Sequence, residues 1–153
     1  MIAARSRSIL RRASFGLCVA AIGACSSKPP APKRVEVRAV GPASIELIPA
    51  AGLPPFCLAY TVAAKGIVRQ LTPLDPNEAI PCPAGEPIGG TRYQIPPAEG
   101  SVRIHVVFSD RAIDGRPIAA QVRELGATPG FSGMDLRAPG NVLLETTAFT
   151  PSP

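Results

Sequence analysis

The chain has 153 residues, enough for one domain with a real apolar core, and apolar residues make up 46% against 18% charged, which excludes wholesale disorder. Nineteen prolines and 14 glycines with no tryptophan argue for many turns and short elements rather than a helical bundle. The net charge of +5 suggests a nucleic-acid partner, but half of the basic residues precede position 39; from there on 8 basic residues face 10 acidic ones, so the expected domain has no basic footprint and no nucleic-acid partner is expected.

The first 14 residues carry Arg5, Arg7, Arg11 and Arg12 and no acid. Phe15 to Ala24, "FGLCVAAIGA", is uncharged and mostly apolar. A basic stretch followed by a short apolar one is the pattern of an export signal. The apolar run is about half of the ~20 residues a membrane-spanning helix needs, and no later stretch is long enough either.

Ile22-Gly23-Ala24-Cys25 resembles the lipobox of bacterial lipoproteins. In that family an aliphatic residue and two small ones precede a cysteine, because the signal peptidase must approach the backbone closely there. The resemblance implies that Cys25 Sγ receives a diacylglycerol thioether and that cleavage makes Cys25 the mature N-terminus. Residues 1–24 then form the signal peptide. Two or more acyl chains anchor stably where one does not. Ser26 stands where an Asp resembles an inner-membrane retention signal, so the resemblance implies the outer membrane, with a periplasmic or surface-exposed domain. The alternative is an ordinary thiol at Cys25 with Ala-x-Ala-type cleavage nearby. Arg11-Arg12 lacks the phenylalanine that a twin-arginine signal would place at Ser14.

Residues 25–34, "CSSKPPAPKR", read as the lipidated cysteine and a semi-rigid tether, since proline favours extended polyproline-like backbone. Lys28, Lys33 and Arg34 suit anionic headgroups, or simply keep a linker soluble.

Folding signals begin at Val35, so residues 35–153 are the expected domain. Val35, Val37 and Ala39 alternate with Glu36 and Arg38, a strand pattern that Gly41-Pro42 breaks. "SIELI" (44–48) alternates again. In "FCLAYTVAAKGIVRQLTP" (56–73), Phe56, Leu58, Tyr60 and Val62 share one face and Cys57, Ala59 and Thr61 the other. Lys65-Gly66 turns the chain into a return strand through Ile67, Val68 and Leu71, giving a β-hairpin. Residues 72–100 are loop-rich, with a short strand near Arg92–Ile95. "SVRIHVVFS" (101–109) places Val102, Ile104, Val106 and Phe108 on one face and Arg103, His105 and Ser109 on the other. "PIAAQVREL" (117–125) predicts a short helix, with Pro117 in its first turn, Ile118, Val122 and Leu125 at helical spacing, and Gly126 as its stop. "NVLLETTAF" (141–149) is the last strand. The strand count and turn spacing predict a mainly β fold, an antiparallel β-sandwich (Ig-like or similar) with one short helix.

Cys18 leaves with the signal and Cys25 is an attachment point, which leaves Cys57 and Cys82. In an oxidising compartment a disulfide is their default state. Catalytic redox pairs sit closer, in Cys-x-x-Cys turns. His105 is the only histidine, and it shares no regular spacing with the cysteines, so no metal site is expected; a half-exposed strand residue is the reading favoured for it. "GFSGM" (130–134) departs from the Gly-x-Ser-x-Gly nucleophile elbow, since Gly133 is one place early and Met134 takes the last glycine's place. "PIGG" (87–90) lacks the helix and Lys-Ser/Thr of a phosphate loop. Tyr60, Tyr93, Phe108 and Phe131 read as core.

Residues 57–126 are similar to an uncharacterised bacterial β-sandwich domain that accompanies surface kinases, caspase-like proteases and anti-sigma-type regulators. The similarity lies in "AYTVAAKGIVRQLTP" and "AGEPIGGTRYQIPPAEGSVRIHVVFSD", followed by the short helix. It implies a sandwich fold with a sensory or interaction role and transfers no catalytic residue. The favoured expectation is a lipid-anchored, non-enzymatic envelope protein with no cofactor, whose domain binds a protein or ligand. An alternative is an accessory or inhibitory subunit of an envelope enzyme or secretion complex. A third reading, a hydrolase, has only His105 and Ser132 to name.

Overall fold

The computed structural model describes residues 32–152. Cys25, the expected signal peptide and most of the expected tether lie outside them. The described chain forms two antiparallel sheets and one α-helix, the mainly β class that the strand pattern predicts.

The smaller sheet comprises β1 (Val35–Gly41), β2 (Ser44–Pro49) and β6 (Tyr93–Gln94), with β2 in the middle. β1 and β2 form a hairpin in which Val37 faces Leu47 and Arg38 faces Glu46. Ile45 and Leu47 point into the core and are fully buried, while Glu46 points outward between the guanidinium groups of Arg38 (3.7 Å) and Arg92 (3.2 Å).

The larger sheet has β3 (Phe56–Ala63) and β7 (Val102–Ser109) at its centre, paired over eight residues from Phe56 opposite Ser109 to Ala63 opposite Val102. β8 (Val142–Phe149) lines the far side of β7. The other side of β3 is shared by β4 (Val68–Gln70) near its C-terminal end and β5 (Ile80–Pro81) near its start. The β3–β4 turn forms at Lys65-Gly66 as expected: Gly66 takes φ of 80° and its amide bonds the Ala63 carbonyl.

Alternation along β3 and β7 divides the interior into two apolar clusters. Cys57, Ala59, Ile104, Val106 and Phe108 meet Val35, Ile45, Leu47 and Tyr93, so both sheets build the first cluster. Leu58, Tyr60, Val62 and Val107 meet Ile118 and Val122 of α1 (Gly115–Leu125), so the helix and the segment leading to Leu136 cover the opposite face. The central strands are therefore buried on both sides, as β3's near-continuous apolar run requires.

The helix starts at Gly115, two residues before Pro117, because the Asp114 side chain caps it by accepting from the Arg116 amide at 2.9 Å. Pro117 falls in the first turn, where its missing N–H costs nothing. Gly126 ends the helix, its amide bonded to the Val122 carbonyl at 2.8 Å. Phe108 is fully buried between the sheets. Phe108→Ala is expected to destabilise the fold by about 3–5 kcal/mol in urea denaturation, through lost burial and the cavity left behind.

Candidate functional site

The structure pairs Cys57 with Cys82, Cα atoms 5.8 Å apart and both residues buried. The geometry follows from the ladder: Cys57 lies opposite Ile80 of β5, and the Cys82 amide bonds the Pro55 carbonyl at 2.8 Å. β5, which no pattern in the sequence marks, thus sets the second cysteine beside the first. The bond closes a loop holding β4 and the segment that follows it. Closing 25 residues constrains the unfolded chain by about 3.5 kcal/mol in the chain-entropy account.

His105 is buried, not half-exposed as its strand pattern suggests. The face it occupies is covered by the end of α1 and by Phe131, whose ring meets the imidazole edge-on with centroids 5.4 Å apart. Nε2 donates to the Gly126 carbonyl at 3.0 Å, which leaves Nδ1 to accept from the Thr146 hydroxyl at 2.9 Å. Both ring nitrogens are therefore engaged in joining β7, β8 and the helix end. The hydroxyl of Ser132 donates to Asp135 Oδ2 at 2.9 Å in a capping box. His105 and Ser132 thus each bond other groups than one another. Burial holds the His105 imidazole below its ordinary pKa; the Gly126 carbonyl opposes this and the nearby Arg103 charge adds to it.

Two open grooves flank this core. The larger, of about 770 Å³, lies where β1 and the end of β8 face each other, with Val35, Val37, Ile48, Ala148 and Phe149 in its walls. Lys33 stands at this groove, so the expected tether joins the domain there. Arg34 reaches across to Glu145 at 3.8 Å.

The second groove, of about 510 Å³, runs between α1 and the edge strand β4. Its walls include Tyr60, Val68, Gln70, Ala119, Arg116 and Arg123, and Leu74 stands 68% exposed at its rim. Arg116 is held by Asp114 at 3.4 Å. Gln70 Nε2 donates to Asn77 Oδ1 at 2.9 Å and to the Pro73 carbonyl at 3.2 Å, and its Oε1 is buried without a partner. The Tyr60 hydroxyl donates to the Gly115 carbonyl at 3.2 Å; burial, with Asp114 nearby, holds its pKa well above the usual phenol value, so it stays protonated. This groove thus combines an apolar rim at Leu74 with the guanidinium groups of Arg116 and Arg123. The sequence signal for it is the seven-residue spacing of Arg116 and Arg123 around Ala119, off the face that buries Ile118 and Val122.

Among the described residues no group of three or more His, Cys, Asp or Glu is placed to hold a metal ion, and no helix is long and apolar enough to cross a membrane. No protein-family model, curated protein or solved structure matches this chain.

Two outcomes test this site. Replacing both Cys57 and Cys82 by Ala is expected to lower stability by about 2–4 kcal/mol in denaturant titration, and reductant is expected to do the same to the unchanged chain only. For His105, the unfolded state takes up a proton near pH 6.5 that the folded state resists. Stability is therefore present above that pH and falls as pH drops through about 6.5 towards the lower folded value. The denaturation midpoint followed from pH 8 to pH 5 is expected to decline, and His105→Gln is expected to start lower and decline less.

Proposed function

We propose that this chain is an outer-membrane-anchored lipoprotein whose domain is a non-enzymatic binding module. The observation that carries the reading is the order of features along the chain. A basic stretch and an apolar stretch lead to Ile22-Gly23-Ala24-Cys25, and a polar, proline-rich segment follows. That segment runs into a β domain closed by a buried disulfide. A disulfide of this kind suits an exported protein. The groove between α1 and β4 is the surface assigned to ligand contact, because the exposed Leu74 and the guanidinium groups of Arg116 and Arg123 line it together.

The test is intact-mass measurement of protein extracted from membranes. The expected species begins at Cys25 and carries a diacylglycerol adduct, and Cys25→Ala is expected to move the chain out of the membrane fraction. A mature start elsewhere, or a free thiol at Cys25, overturns the reading.

A further inference from the structure

The outer face of the smaller sheet carries a row of alternating charge. Arg92 bonds Glu46 at 3.2 Å, and Glu46 faces Arg38, which lies on β1 at the sheet's edge. The row thus runs plus, minus, plus and stops at an open edge: among the described residues β1 has a partner strand on one side only.

The phase of that edge follows from one bond. The Ala50 amide donates to the Arg34 carbonyl, and residues 34 and 50 are opposite each other in the hairpin register. In an antiparallel ladder such bonds recur every second residue. Arg34, Glu36 and Arg38 therefore direct their backbone groups to β2, and Val35, Val37 and Ala39 direct theirs outward. An incoming antiparallel strand must bond through those three.

We infer that β1 pairs with β1 of a second copy of this chain, antiparallel, about a two-fold axis through Val37. In that register Val37 faces its own counterpart and Val35 faces Ala39 of the other copy, which satisfies all three outward-facing residues on each strand. Glu36 then lies opposite Arg38 of the other copy, twice by symmetry, as an isologous interface requires. These are non-hydrogen-bonded positions, where side chains come closest, with Cα atoms about 4.5 Å apart. Oppositely charged pairs across strands attract and like ones repel. Each charge row is thereby extended to Arg92, Glu46, Arg38 and then Glu36 of the other copy. Both side chains are solvent-accessible: Glu36 and Arg38 are 60% and 52% exposed, and beyond the Arg38–Glu46 contact they bond each other along their own strand at 3.3 Å. Charged side chains, prolines and bulges commonly keep an edge unpaired; here the charges complement their own reversed order, and the register shift of β1 lies beyond Ala39, outside the paired residues.

The test uses the full chain purified in detergent, with its size followed by sedimentation. The expected species is a dimer. Glu36→Arg sets two guanidinium groups against each other at both symmetric positions and is expected to weaken dimerisation at least tenfold. Arg38→Glu alone does the same with two carboxylates, and combining it with Glu36→Arg is expected to restore the dimer. Both variants bearing Arg38→Glu lose the Glu46 contact equally, so their difference reports the edge alone. Independently, a chain carrying both Glu36→Cys and Arg38→Cys is expected to form a covalent dimer under mild oxidation, linked from position 36 to position 38, since their separation is within disulfide reach. A monomer in sedimentation, a dimer indifferent to the charge exchange, or a cross-link joining other positions overturns the proposal.

Discussion

Everything in this domain is arranged around the pairing of β3 with β7. Eight residues of each strand lie face to face, and the alternation of their side chains sends half of them into each of two apolar clusters. A sheet centre with no wet face must be covered twice. The β1–β2 hairpin with β6 covers it on one side, and α1 with the segment after it covers the other. The shorter pieces then serve these layers. β4 and β5 extend β3, and the disulfide fastens the start of β3 to the residue that follows β5. The Arg69 guanidinium, on β4, also holds the buried carboxyl of Glu99 beside β7.

The long strands are legible because their patterns are strong. "SVRIHVVFS" alternates, "FCLAYTVA" is bounded by prolines and a Lys-Gly turn, and Gly41-Pro42 marks the first hairpin. What stays illegible depends on tertiary cover. The second face of β7 carries Arg103, His105 and Ser109, which reads as a wet face. In the fold His105 is buried because the helix end and Phe131 lie over it, and every polar atom of the imidazole finds a partner; Ser109 is buried too, its hydroxyl donating to the Arg111 carbonyl. Likewise β5 is two residues long, too short to have a period of its own, and it exists because β3 offers it an edge. The helix begins two residues ahead of the position that its proline suggests, because the Asp114 cap opens it earlier.

The same contrast applies to function. The anchor reading rests on a short linear pattern and on composition, which a sequence carries in full. The groove proposed for ligand contact rests on Leu74 and Gln70 from one stretch and Arg116 and Arg123 from another, brought together by the contact of α1 with β4. No periodicity announces such a meeting. Nor does one announce an edge whose charges complement their own reversed order, although "VEVR" contains it in plain sight.

The disulfide has a topological consequence as well as an energetic one. The residues between Cys57 and Cys82 form a covalent ring that contains the Lys65-Gly66 turn, the exposed Ile67 and Leu74, and one wall of the helix-side groove. A single backbone cut anywhere in that ring leaves the two fragments joined. In a protease-rich surrounding, a cut in this stretch releases nothing, so the groove wall can be nicked without being shed.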